Sequence, residues 1–324
     1  MSCENNNNIG NNLVKFAMYI KLKELKFDPV IIALTRYKNI YFVKKHVKLK
    51  EINVSFNELK EDDFDFLMVN SDQTWINITP PYLLDYGFLK FASNWKIPKF
   101  VYFLYGASYP LNRWLYSKQF NLIAGNLLKN FTGVSVREIT TINLAEKYLG
   151  IKPNFVLDPT FLIDKSNYIS LIKYYKGYFN YNQKFLCVYQ LDKYKKMENF
   201  IKYSCLKLNF TLHKVNISNN FYIEDFIKCI NNSKAVITDS YHGTIFSIIF
   251  EKPFVSFINS KRGNTRFLSL KHFLKINDRI ISPKSNKKID INLLKINFKV
   301  NQILFDEMKN KSIYFLKKNL NLEN

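Results

Sequence analysis

Asp239, Ser240, His242 and Gly243 stand together in the segment A-V-I-T-D-S-Y-H-G-T-I-F, between two apolar runs. Read as strand, loop and helix, the segment places a carboxylate, a hydroxyl and an imidazole where a parallel strand ends and the next helix begins. Such junctions form the ligand crevice of open α/β sheets. A helix amino terminus also presents backbone N–H groups to an anion. Histidine is the side chain type that changes charge near neutral pH, suited to moving a proton beside a bound phosphate. A core or capping histidine is the plain alternative for any single His; the flanking segments favour the anion site here.

Three more polar loops follow apolar runs. N-S-D-Q-T-W (70–75) follows F-D-F-L-M-V, Y-G-A-S-Y (105–109) follows F-V-Y-F-L, and S-V-R-E (135–138) sets Arg137 at a strand end. Each alone is weak, because Ser, Asp and Asn suit any turn. Their recurrence at the same kind of strand end points to one shared rim. The chain has only six arginines, Arg36, Arg113, Arg137, Arg262, Arg266 and Arg279, against a large excess of lysine. An Arg in such a composition is a candidate for a bidentate phosphate or carboxylate contact that Lys cannot reproduce. Arg36 and Arg113 read as ordinary surface residues.

The elements that must position these loops alternate along the chain. Strand-like runs at 30–34, 64–69, 100–105, 132–136 and 155–157 form a first series, and runs at 185–191, 210–215, 235–238 and 254–258 form a second. Helical spacing between them argues for parallel βαβ units. Asn11 and Asn12 are placed to cap a first helix, a Tyr-, Lys- and Asn-rich stretch (167–182) separates the two series, and 300–320 reads as a closing helix. The expected architecture is two Rossmann-like, doubly wound domains facing a central cleft: residues 1–164, whose first strand is missing, and residues 165–324 with the closing helix.

The 324 residues suffice for two domains, and 47% apolar content argues for a folded chain. No run approaches the roughly 20 apolar residues of a membrane span, and the Asn-rich start does not read as a signal peptide. Cys3, Cys187, Cys205 and Cys229 show no CxxC or zinc-like spacing and read as free thiols of a reducing cytosol. The formal charge of +22 suits nucleic acid, an anionic membrane face or an anionic substrate. Its lysines are scattered, and no helix-turn-helix, zinc-finger or RNA-recognition signature accompanies them, so no nucleic acid partner is expected.

In order along the chain, N-N-I-G-N-N-L, N-S-D-Q-T-W, Y-G-A-S-Y, S-V-R-E, V-L-D-P-T (156–160), T-D-S-Y-H-G (238–243) and R-G-N-T-R-F-L-S-L (262–270) resemble the motifs of the polysaccharide pyruvyl transferases. The resemblance runs from about residue 8 to 285. It implies a glycosyltransferase-B-like fold and transfer of the enolpyruvyl group of phosphoenolpyruvate to two hydroxyls of a glycan sugar, giving a cyclic ketal and phosphate. It implies no metal and no cofactor beyond the donor substrate. The acceptor would be a saccharide, lipid-linked or nucleotide-linked, of a capsule or exopolysaccharide. The enzyme would be cytoplasmic, with peripheral attachment to the anionic inner face of the membrane open to its basic surface.

The resemblance also distributes roles. His242 would take the hydroxyl proton or give one to the departing phosphate, Asp239 would fix its tautomer, and Asp72 would orient the acceptor hydroxyls. Arg137 and Arg266, then Arg262 and Arg279, would hold the donor's carboxylate and phosphate, with Ser240, Gly243 and Thr244 at the helix start. Ser71, Gln73, Trp75, Asn12 and Ser108 would face the acceptor. Asp158 reads as a turn residue. A nucleotide-sugar glycosyltransferase and an inactive homologue are the alternatives of the same fold, and a basic nucleic-acid-binding protein is the alternative of another class.

Overall fold

The computed structural model describes residues 8–34, 41–52, 56–70, 73–76, 82–95, 101–175, 183–215 and 222–322. All of its strand pairings are parallel and helices alternate with the strands, as the sequence predicts for a Rossmann-like α/β protein. The chain divides into two compact units, Met1–Ile163 with Asp306–Asn324, and Asp164–Phe305.

The first unit opens with α1 (Ile9–Glu24). Asn8 caps it, its side chain accepting from the Asn11 backbone N–H at 3.2 Å. Asn11 and Asn12, expected to cap, instead lie buried in the first turn, because the cap falls where extended backbone ends and Asn8 is the residue in that conformation. There follow β1 (Ile31–Leu34), α2 (Tyr41–His46), β2 (Leu49–Ile52), β3 (Phe66–Asn70), α3 (Tyr82–Phe88), β4 (Val101–Ala107), α4 (Lys118–Leu128), β5 (Gly133–Val136), α5 (Ile139–Leu149) and β6 (Asn154–Phe155). β3, β4, β5 and β6 form one sheet in chain order, and β1 pairs with β2 in a separate sheet. A cavity of about 350 Å³ lies between β1 and β3, walled by Met18, Leu22, Ile32, Leu67 and Met68. The expected absence of a first strand concerns residues 1–8, of which 1–7 lie outside the described residues and Asn8 caps α1.

The second unit holds α6 (Lys165–Ile172), β7 (Phe185–Tyr189), α7 (Lys195–Leu208), β8 (Thr211–Lys214), α8 (Ile223–Asn232), β9 (Ala235–Thr238), α9 (Tyr241–Ile249), β10 (Phe254–Phe257), α10 (Thr265–Leu274) and β11 (Ile280–Ile281). Its sheet order is β8-β7-β9-β10-β11. Every residue of β7, β9 and β10 is buried, as strands covered on both faces require. Leu186, Val188, Ile237, Val255 and Phe257 pack with Met197, Phe200 and Ile201 of α7 on one face. Phe226 and Phe246, ring centroids 5.4 Å apart, serve the other, with Tyr168 of α6 meeting Phe246 at 4.8 Å. Each fully buried side chain of this size contributes about 1.5–3 kcal/mol.

The sequence position of the last helix, α11 (Gln302–Asn319), groups it with the second domain. From Asp306 onward it belongs to the first unit, where Phe315 packs on Tyr105 and the Ser312 hydroxyl accepts from the Leu157 N–H at 2.9 Å.

Candidate functional site

In the first unit the polar motifs converge at the carboxyl ends of β4, β5 and β6, and they close on one another. The Arg137 guanidinium is wholly buried, paired with Asp158 through Nη1 and 3.6 Å from Glu138 through Nε. Asp158 also accepts from the Thr160 backbone N–H and hydroxyl at 3.0 and 2.7 Å, which makes it both turn cap and counter-ion. Glu138 accepts from the Ser108 hydroxyl at 2.6 Å and the Tyr109 N–H at 3.2 Å. The Tyr105 hydroxyl donates to the Leu157 carbonyl at 3.1 Å, and burial pushes its pKa well up. Three motifs read separately in the sequence are therefore one internal network.

That network changes the reading of several residues. Arg137, expected to grip the donor, has its charge answered inside the unit by two carboxylates. Ser108, expected to face the acceptor, is fully buried on Glu138. Trp75, expected against a sugar ring, lies in the core, stacked on Phe88 at 5.5 Å and 5°. The turn over 73–76 is tied to the unit, with the Trp75 N–H donating to the Ser108 carbonyl at 3.3 Å and the Trp75 carbonyl accepting from the Tyr116 hydroxyl at 2.7 Å. Gln73 adopts the left-handed backbone of that turn, at φ 48°. Asn12 is buried in α1. Ser71 and Asp72 lie outside the described residues.

In the second unit the polar residues gather where β7 and β9 lie side by side. The order β8-β7-β9-β10-β11 reverses direction at that pair, since the chain moves outward one way from β7 to β8 and the other way from β9 onward. Such a switch point opens a crevice at the strands' carboxyl ends. Asp239, leaving β9, bridges it: its carboxylate accepts from the Leu191 N–H at 2.6 Å, the Asp192 N–H at 2.9 Å and the Asn259 amide at 2.9 Å. Those bonds tie the loops after β7, β9 and β10 together.

The next residues build the start of α9. Ser240 caps it, accepting from the Gly243 N–H at 3.2 Å. Thr244 donates back to the Ser240 carbonyl at 3.0 Å and shares a 2.6 Å hydrogen bond with Ser256. A Cβ on Gly243 would overlap the Thr238 hydroxyl. That hydroxyl is fixed by donating to the Tyr189 carbonyl at 2.6 Å and accepting from the Ser240 N–H at 3.0 Å. Glycine is thus required for the helix to start this close to its strand. His242 follows, buried, its ring edge-on to Tyr241 at 5.3 Å. Tyr241 packs edge-on against Phe267 at 6.0 Å, and the Arg266 guanidinium carbon lies 5.0 Å from its ring centroid. His242 and Arg266 therefore flank one tyrosine.

Charge reaches solvent on the next loop. Arg262, with its side chain 51% exposed, meets Asp192 through Nε at 2.9 Å, and the 74% exposed Lys261 approaches the same carboxylate at 3.9 Å. The Arg262 carbonyl accepts from Arg266 at 2.6 Å. Burial pushes the Asp239 carboxyl up. Burial acts the same way on Asp192, but its hydrogen bonds from Asn259 and Arg262 outweigh that and hold it below the usual range. Neighbouring carboxylates driven apart in this way suit acid and base chemistry. Arg279 stands apart: it donates to the Phe254 and Leu293 carbonyls at 3.2 and 2.8 Å, between the Phe254 and Phe298 rings, so it braces β10. Asn259 and Asp192 were not singled out from the sequence. The available signal was an Asn closing a buried strand directly before Ser-Lys-Arg-Gly.

A parallel α/β unit with its polar residues collected at the switch point fits a Rossmann-like fold. The chain belongs to the polysaccharide pyruvyl transferase family, whose model matches residues 8–261; the family is one of transferases. The match takes in both polar clusters as far as Lys261 and ends before Arg262 and Arg266. A comparison with curated proteins gave no match. Among the described residues no helix is long and apolar enough to cross a membrane, and no group of three His, Cys, Asp or Glu side chains is placed to hold a metal ion.

Proposed function

We propose that the protein transfers the enolpyruvyl group of phosphoenolpyruvate to two hydroxyls of a glycan sugar, forming a pyruvate ketal and releasing phosphate. The observation that carries this reading is the second unit's switch point. There His242, Arg266, Arg262 and Lys261 cluster at the starts of α9 and α10 in a chain of this family. The donor carries a carboxylate and a phosphate, and two arginines beside two helix amino termini offer fixed donors to such an anion. His242, which like Arg266 packs on Tyr241, is the proton carrier: it takes the proton of the attacking hydroxyl or gives one to the departing phosphate. Arg137 acts at a distance, holding the strand ends of the first unit. The acceptor is a saccharide on a lipid or nucleotide carrier, Asp72 is the candidate to orient it, and the work is done in the cytoplasm with the basic surface against anionic lipid.

Phosphate release from phosphoenolpyruvate, measured with galactose-, glucose-, mannose- and N-acetylhexosamine-bearing acceptors, tests this. Acceptor-dependent release that His242→Ala abolishes is the expected result. Release that persists in that variant removes His242 from the chemistry. Transfer from a nucleotide sugar in place of phosphoenolpyruvate overturns the reaction.

A further inference from the structure

Asn259, two residues beyond β10, is fully buried with both ends of its amide in use. Its Oδ1 accepts from the Lys261 and Arg262 backbone N–H groups at 3.1 and 3.2 Å and from the Tyr194 hydroxyl at 3.1 Å. Its Nδ2 donates to Asp192 at 2.8 Å and Asp239 at 2.9 Å. The three loops that follow β7, β9 and β10 thus meet on one side chain. We propose that Asn259 is the positioning residue that sets Arg262, and through it Arg266, toward the anionic donor. This inference rests on the pyruvyl-transfer reading above.

The amide is the group the position demands. Two carboxylates need two donors, while two backbone N–H groups and a phenol need an acceptor, and the Asn or Gln amide supplies two N–H donors and an acceptor oxygen from one planar group. Its consequence reaches the arginines in two steps. Asn259 fixes the backbone of the 3-10 turn over Ser260–Arg262. It also orients Asp192, whose Oδ2 accepts from Arg262 Nε as well, at 2.9 Å. Arg262 then offers its carbonyl to Arg266 at 2.6 Å. With this hold in place, Arg262 is presented from a fixed turn despite its exposure, so less ordering remains to be done when the ligand arrives.

The substitution Asn259→Asp tests this nearly isosterically. It keeps an acceptor for the turn but sets a third carboxylate against Asp192 and Asp239. Among the described residues, the other charged or titratable groups around it are Lys261 and Arg262 from the turn, Tyr194 on its Oδ1, and Tyr189, which acts on the neighbouring Asp239. Burial and two like charges raise a carboxyl's pKa, so the repulsion is relieved as pH falls and the new acid takes a proton that it can donate.

Two readouts on the full chain are compared at pH 8 and pH 5.5: amide hydrogen exchange across residues 260–266, and calorimetric affinity for phosphoenolpyruvate. At pH 8 the variant should exchange this segment faster and bind about tenfold more weakly, while residues 133–136 of the first unit stay as protected as in the wild type. At pH 5.5 both differences should shrink. Exchange and affinity equal to wild type at pH 8 would overturn the proposal, as would losses of the same size at both pH values. Faster exchange with wild-type affinity would reduce Asn259 to a structural residue and overturn it too. Should the wild type itself not bind phosphoenolpyruvate, the donor reading falls. The exchange arm still decides whether Asn259 holds the Arg262 turn: unchanged exchange refutes the hold, and pH-dependent loss sustains it.

Discussion

The two polar clusters use the same residue types in opposite ways. In the first unit, Arg137, Glu138 and Asp158 have no side-chain exposure at all, and the guanidinium is answered by carboxylates from two strand ends. In the second, Asp192 is 18% exposed and its partner Arg262 51%, so the pair is anchored at one end and open at the other. An arginine after a buried strand can therefore be an internal brace or an offered charge, and its motif alone does not say which. The deciding feature is the burial of the partner carboxylates: those beside Arg137 are sealed, while the Asp192 that meets Arg262 is part-exposed and is shared with Lys261 and Asn259.

The comparison can be broken most forcefully at Arg137. Arg137→Ala leaves two buried carboxylates uncompensated and should destabilise the protein by about 3–5 kcal/mol in denaturant unfolding; a near-neutral result would mean that the cluster is not sealed. Gly243→Ala comes next, since its methyl group would press on a Thr238 hydroxyl held by two hydrogen bonds. It should cost about 1–3 kcal/mol by the same measurement, showing that the second unit is rigid at the helix start even where its charges are open. Arg262→Ala should change stability by less than about 1 kcal/mol, as an exposed pair allows; a loss like that of Arg137→Ala would erase the distinction between the clusters.

Asp192→Asn should have the smallest effect and one that depends on pH. The folded protein holds this carboxyl below the usual range, so its contribution is present above the unfolded value of about 3.9 and is lost as pH falls through the folded one. The gap in melting temperature between wild type and variant should be visible at pH 7 and close on acidification toward about pH 3. A gap that widens on acidification would contradict the direction of the shift.

Much of the fold was legible because central parallel strands announce themselves as apolar runs. β7, β9 and β10 fall within the stretches expected, and β9 matches end to end. β2 was passed over because Leu49–Ile52 is an L-K-E-I edge segment with one buried residue, and β11 because two residues leave no pattern. The strand-end loops were also legible as chemistry. Their partnerships were not, because those are set by register. Arg137 meets Asp158 across 21 residues, and Asn259 meets Asp192 across 67. No local spacing encodes either pair. Trp75 shows the same limit from the apolar side: whether an indole after a strand faces ligand or core depends on which way its turn folds.

The account's central claim is that the second unit's open cluster, and not the first unit's closed one, meets the anionic donor. Calorimetric titration of phosphoenolpyruvate into wild type and Arg262→Ala, with melting temperature recorded for both, tests it most directly. The account predicts saturable binding by the wild type and affinity at least about tenfold weaker in the variant, at an essentially unchanged melting temperature. Equal affinity in the two proteins would contradict it.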